Sequence, residues 1–248
     1  SHPFYKPAVT FSINNSDIVT SVSQSLKDDT LKLFKIRKEI EVVPNFIDVS
    51  KFRTGFTDCQ RSLMADEDEK IISHVSNFRA VKRIKDVINI YYKIQKTIKS
   101  KLIMVGEGPE KERAEALVQE LGIQNNVIFL GQSNEVDKIL CFSDLFLLPS
   151  EKESFGLAAL EAMVNGVPVI SSNSGGLPEV NIHGYSGYLS AVGDVEEMAA
   201  NGIKILQDEA TLSQFKLNAR EQAKIFDLHK IVPVYEALYE KALADIEK

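Results

Sequence analysis

The chain has 248 residues, 44% of them hydrophobic and 26% charged, and a net charge of −6. That balance suits one large globular α/β domain, or one domain with part of another, and argues against a broad nucleic-acid or anionic-membrane footprint. No apolar run approaches the roughly 18 residues that cross a bilayer, and no secretory signal opens the sequence. Cys59 and Cys141 lie far apart and outside any CxxC pattern. They read as ordinary thiols of a reduced, cytoplasmic protein.

The sequence opens on Ser1-His-Pro-Phe-Tyr-Lys-Pro7, without an initiator Met, and soon enters an apparent strand. This reads as a chain entered partway through a domain, as in a fragment. Strands are expected at residues 18–23, 40–43, 71–76, 101–105, 127–130, 145–148, 168–171 and 187–189. Several are continuous apolar runs, such as Leu102-Ile-Met-Val105 and Leu145-Phe-Leu-Leu148, which suit parallel strands covered on both faces. Helices are expected between them, at 85–98, 110–121, 135–141, 155–165, 195–207, 211–226 and 233–246. The first places Val87, Ile88, Tyr91, Ile94 and Ile98 on one side, and Gly122 supplies a stop for the second. Strand–helix alternation of this length predicts right-handed βαβ units in a Rossmann-like, doubly wound parallel sheet.

A seam falls near Val43-Pro-Asn-Phe-Ile-Asp48, before a polar, irregular stretch at 50–68. What precedes it is too little for an independent core. The expected division is therefore 1–47 as the end of a preceding Rossmann domain, 48–230 as a nearly complete one, and 231–248 as a final helix.

Open α/β sheets bind ligands at the carboxyl ends of their strands. After 145–148 comes Pro149-Ser-Glu-Lys-Glu-Ser-Phe-Gly-Leu-Ala-Ala-Leu-Glu161. A helix starting near Phe155 or Gly156 leaves the amides of Phe155, Gly156 and Leu157 open to an anion. Glu153 precedes that start and Glu161 lies eight positions on, about 12 Å away if the path is helical. Acceptors on that scale suit a ligand with hydroxyls at both ends and an anionic middle, the shape of a nucleoside diphosphate sugar. The same spacing also suits a first-turn acid and a surface acid favoured by the helix dipole.

After 71–76 comes Asn77-Phe-Arg-Ala-Val-Lys-Arg83, whose Arg79, Lys82 and Arg83 can neutralise a diphosphate or simply form a solvated basic turn. Gly106-Glu-Gly-Pro109 and Ser174-Gly-Gly-Leu-Pro-Glu179 are glycine turns that permit close backbone approach or serve only as tight turns. Neither a full GxGxxG nor GxxxxGK[ST] occurs, so nicotinamide binding and P-loop hydrolysis lack support. His2, His74, His183 and His229 show no metal-ligand spacing, and a Gly-x-Ser-x-Gly elbow is absent.

Taken together these loops resemble the retaining glycosyltransferases of GT-B architecture, in the glycogen-synthase and sucrose-synthase-like group. Glu153 and Glu161 match that family's E-x7-E motif. Gly106-x-Gly-Pro109, Phe129-Leu-Gly131, Gly166-x-Pro168-Val-Ile170 and Gly175-Gly-x-Pro-Glu179 stand in the expected order. One departure is that Asn77 occupies the place where most relatives carry Arg, while Lys82 keeps the Lys.

The resemblance implies a hexosyltransferase with Glu153 on sugar hydroxyls and Glu161 on the ribose. Lys82, Asn77 and the 155–157 amides would stabilise charge on the leaving nucleoside diphosphate. Arg79, Gly106, Gly108, Leu130 and Ser154 join them as donor-binding residues; Glu153 and Lys82 carry the catalytic roles. It implies neither metal nor other cofactor, the UDP-sugar being a substrate. The resemblance further implies that the departing phosphate assists front-face attack, so that no protein nucleophile is needed; Glu153 as a covalent nucleophile is the alternative.

Residues 72–84, with Val43-Pro-Asn-Phe-Ile-Asp48 and His2-Pro-x-Tyr-Lys-Pro7, are similar to the branch that glycosylates L-malate in bacillithiol biosynthesis. That implies UDP-N-acetylglucosamine as donor and L-malate as acceptor, the acceptor residues lying in a preceding domain. The expectation is a chain that binds UDP or donor but transfers poorly alone. A lipid or polysaccharide acceptor, a non-catalytic nucleotide-sugar-binding module, a sugar-nucleotide epimerase and assembly as a homo-oligomer stay open.

Overall fold

The computed structural model describes residues 5–52 and 61–246. Its centre is a six-stranded sheet in the order β5-β4-β3-β6-β7-β8. The strands are β3 (Lys70–Val75), β4 (Ser100–Val105), β5 (Val127–Gly131), β6 (Leu145–Leu148), β7 (Val169–Ser172) and β8 (Gly187–Ser190). Every neighbouring pair is parallel. The order runs outward from β3 in one direction and then from β6 in the other. This is the doubly wound, Rossmann-like arrangement, with its switch point between β3 and β6.

Burial explains why these runs are strands. All four residues of β6 are fully buried, and their period of two divides them between the sheet's faces. Leu145 and Leu147 join Ile72, Leu102 and Met104 under α3 (Ile84–Ile94) and α8 (Val195–Leu206). Phe146 and Leu148 pack with Ala159, Leu160 and Met163 of α6 (Leu157–Val164). Each fully buried aliphatic or aromatic side chain contributes about 1.5–3 kcal/mol relative to exposure. A continuous apolar run therefore pays only where both faces are covered.

The remaining helices are α4 (Lys111–Glu120), α5 (Val136–Leu140), α7 (Leu177–Val180), α9 (Glu209–Ala223) and α10 (Leu228–Ile246). Asp194 and Asp208 cap α8 and α9 by accepting from the amides of Glu197 and Thr211. The expected start of the last helix at 233 is corrected to Leu228. Pro233 lies inside the helix, and the start signal is Asp227, whose carboxylate accepts from the His229 amide at 3.2 Å. α7 was not expected.

Before the sheet come α1 (Tyr5–Asn14), β1 (Val19–Ser21), α2 (Gln24–Leu33) and β2 (Ile40–Val42). β1 and β2 pair in parallel as a separate two-stranded sheet. α10 packs against this part, joining Ile231 and Leu238 to Val43. The Ile47 amide also donates to Phe226, and the Leu228 amide to Ile47. The 50–68 stretch holds short 3-10 turns at Val49–Lys51 and Arg61–Leu63. Cys59 and His2 lie outside the described residues. Cys141 is disulfide-bonded, which corrects its reading as an ordinary thiol.

Candidate functional site

β3 and β6 deliver their loops to the switch-point crevice side by side. The β3 loop ends in a 3-10 turn, Ala80–Lys82, and the amide of Glu151 in the β6 loop donates to the carbonyl of Val81 at 2.8 Å. That bond brings Lys82 over Glu153. Lys82 Nζ lies 2.5 Å from Glu153 Oε1, with both side chains less than a fifth exposed. Ser150 Oγ donates to the same carboxylate oxygen at 2.9 Å. A shielded pair of this kind interacts more strongly than a surface pair, because little water screens it.

The loop that carries Glu153 is seated on glycines. The Gly176 amide donates to the Glu153 carbonyl at 2.9 Å. A Cβ on Gly175 would lie 1.9 Å from that carbonyl oxygen, and one on Gly176 would lie 2.5 Å from the Ser154 carbonyl oxygen. Gly156 caps α6 in the left-handed region, at φ 105°. Among the described residues, the amides of Phe155, Gly156 and Leu157 donate to no carbonyl or side chain. They sit at the positive end of α6 as potential anion donors.

The other expected residues are placed as follows. Asn77 and Arg79 are exposed on the β3 loop. Arg83 stands at the start of α3 and is paired there with Asp86 at 2.5 Å. Gly106 and Gly108 bring the β4 loop against the β3 loop: added Cβ atoms would meet the Ser76 and Asn77 carbonyl oxygens at 1.8 and 2.4 Å. Their close approach is to backbone of the same chain. Ser154 is exposed and Leu157 half-exposed, whereas the Phe155 ring is buried against Phe226 in an edge contact at 5.4 Å. Phe155 thus offers the crevice its amide alone.

Glu161 and Leu130 face separate cavities on either side of α5. Glu161 lines one of about 560 Å³ with Asp48, Lys51, Asn134 and Asp137. Burial, and then the charge of Asp137, push its carboxyl above the ordinary value. Leu130 lines another of about 550 Å³ with Met64, Gln132, Ser133 and Phe142.

Under the crevice His74 is fully buried and accounted for by structure. Its Nδ1 donates to the Leu147 carbonyl (2.8 Å), and its Nε2 accepts from Ser76 Oγ (2.7 Å). Burial lowers its pKa to about 4, against which the Leu147 bond works and to which Lys82 adds. The ring therefore stays neutral near pH 7 and holds the Ser76 hydroxyl.

Ser150, Glu179 and Ser23 also belong to this region and were not singled out as site residues. Glu179 stands within a motif that was noted, whereas Ser23 lies 131 positions from the Ser154 carbonyl it reaches. No three His, Cys, Asp or Glu residues cluster as metal ligands among the described residues. No described helix is long and apolar enough to cross a membrane.

A family model described as glycosyl transferases group 1 matches residues 56–222. The sequence is 44% identical over 247 residues to the N-acetyl-alpha-D-glucosaminyl L-malate synthase of Bacillus anthracis, covering 99% of this chain and 65% of that protein. Among solved structures, sucrose-phosphate synthase from Thermosynechococcus elongatus matches with a TM-score of 0.87 at 27% identity, over 96% of this chain and 61% of that one. Anabaena HepE, solved in complex with UDP-glucose, matches with a TM-score of 0.84 at 25% identity, over 94% and 67%. The chain thus spans about two thirds of the length of these relatives.

Proposed function

We propose, for a chain that belongs to the glycosyl transferases group 1 family, that it supplies the donor site of a retaining hexosyltransferase. In this reading UDP-N-acetylglucosamine is the donor and L-malate the acceptor. The observation that carries it is the Lys82–Glu153 contact at the switch point, beside the open amides of α6. A cation and helix-start amides suit a diphosphate, and a carboxylate beside them suits sugar hydroxyls. The likeness to the malate synthase and to the UDP-glucose complex supports the donor and acceptor classes.

Lys82 and the α6 amides stabilise negative charge as the bond from the anomeric carbon to the UDP oxygen breaks. The acceptor hydroxyl bonds to that carbon on the same face, and its proton passes to the departing phosphate oxygen. Glu153 orients the sugar; Glu161 meets the ribose from its cavity. Cationic side chains and the helix start provide the neutralisation, without a metal. Asn77, Arg79, Ser154 and the glycines of the β4 loop border the crevice. Residues 48–230 form the donor-binding domain, 1–47 the end of an acceptor domain, and 231–248 the closing segment, whose helix α10 packs back on it. The Val43–Ile231–Leu238 cluster supports that last assignment.

Calorimetric titration with UDP-N-acetylglucosamine, UDP-glucose and GDP-mannose tests the donor assignment. The expected order of affinity places both uridine donors well above GDP-mannose. Equal affinity for uridine and guanosine donors would refute it.

A further inference from the structure

The loop that carries Glu153 is also tied, at its backbone, to a part of the chain remote in sequence. α2 begins at its cap Ser23, a buried residue whose side-chain oxygen accepts from the Leu26 amide at 3.0 Å. The same hydroxyl donates to the Ser154 carbonyl at 2.6 Å. The next two amides, of Gln24 and Ser25, donate to the two carboxylate oxygens of Glu179 at 2.8 and 2.9 Å. Amides at that position lack intrahelical acceptors, and an acid there complements the positive end of the helix.

Glu179 belongs to the same short stretch as Gly176, whose amide holds the Glu153 carbonyl. Residues 176–179 therefore grip the Glu153 peptide directly. Through α2 they also hold the hydroxyl that grips the Ser154 peptide. A more exposed ion pair, Lys152 with Asp29 at 2.5 Å, closes the same bracket and is worth little alone.

We infer that Glu179 is a positioning residue for the sugar end of the donor. It fixes α2 against residues 153–154 and thereby sets the place of the Glu153 carboxylate, without touching the donor. The inference rests on the proposed function, in which Glu153 meets the sugar hydroxyls. Two amides need two acceptor oxygens, which a carboxylate supplies. Binding groups must be held within a fraction of an ångström, so loosening this bracket blurs sugar recognition, while the diphosphate keeps Lys82 and the amides of Gly156 and Leu157 and is disturbed only at the Phe155 amide, which shares the Ser154 peptide.

Titrations of the full chain with UDP and with UDP-N-acetylglucosamine separate this role from a general loss of structure. In Glu179→Ala, affinity for UDP-N-acetylglucosamine should fall about tenfold while that for UDP stays within about twofold. Glu179→Gln, with one acceptor oxygen for two amides, should fall between, and Ser23→Ala should show the same selective loss. These two variants carry the test if Glu179→Ala does not fold. Equal losses for both ligands, or no loss, would overturn the inference and leave the donor-site reading standing. A parent chain that binds neither ligand would overturn that reading, and this inference with it.

Discussion

Glu161 makes no ion pair among the described residues, and both burial and Asp137 raise its pKa from the ordinary value of 4.5. Ionising it therefore costs the folded chain more than the unfolded one. Between the unfolded and folded pKa values the native state holds a proton that the unfolded state has lost. Stability attributable to this group falls as pH rises through that window, and the penalty is complete above it. Glu161→Gln should therefore melt higher than the parent at pH 7–8, by roughly 2–4 °C for each kcal/mol relieved. The difference should close as pH approaches 4.5, and UDP affinity should drop. Thermal melts across pH check this, and a neutral-pH loss of stability would contradict it. Lys82 and Glu153, by contrast, satisfy one another in the crevice, so their charges are held where a charged ligand can exchange with them.

At the scale of elements, the glycine turn 175–176 acts as the seat of the Glu153 loop. Gly175 stands at φ 63°, and a Cβ there would lie 1.9 Å from the backbone oxygen of Glu153. No side-chain rotation relieves a clash with backbone, so Gly175→Ala should cost at least about 1–3 kcal/mol and lose donor binding. Denaturant unfolding and UDP-sugar titration measure the two effects; unchanged values for both would refute the seating argument. This turn was legible in the sequence as a glycine motif, but the partner it seats was not.

The same division holds elsewhere. Leu145-Phe-Leu-Leu148 announced a strand because burial on both faces leaves a continuous apolar run. α1 announced nothing, since none of its residues is buried and an apolar stripe is the signal of a helix. The start of α10 was misplaced because Pro233 resembles a first-turn proline, while the real signal was Asp227. Phe155 was legible as part of a helix start, yet spacing does not say that its ring points into the core. Glu179 and Gln24 are 155 positions apart, beyond the reach of any local pattern.

In the whole molecule the doubly wound sheet explains why the site lies where it does. Its strand order reverses between β3 and β6, so the loops after these strands diverge and leave a crevice at their carboxyl ends. The basic turn, the acid loop and the start of α6 meet there, and α2 braces them from outside the sheet. In the proposed function the diphosphate lands on the start of α6 beside Lys82. Amide hydrogen exchange of the full chain with and without saturating UDP tests this placement. Exchange at Phe155, Gly156 and Leu157 should slow on adding UDP, and the slowing should vanish in Lys82→Ala at the same UDP concentration; UDP binding that leaves these amides unchanged would refute the placement.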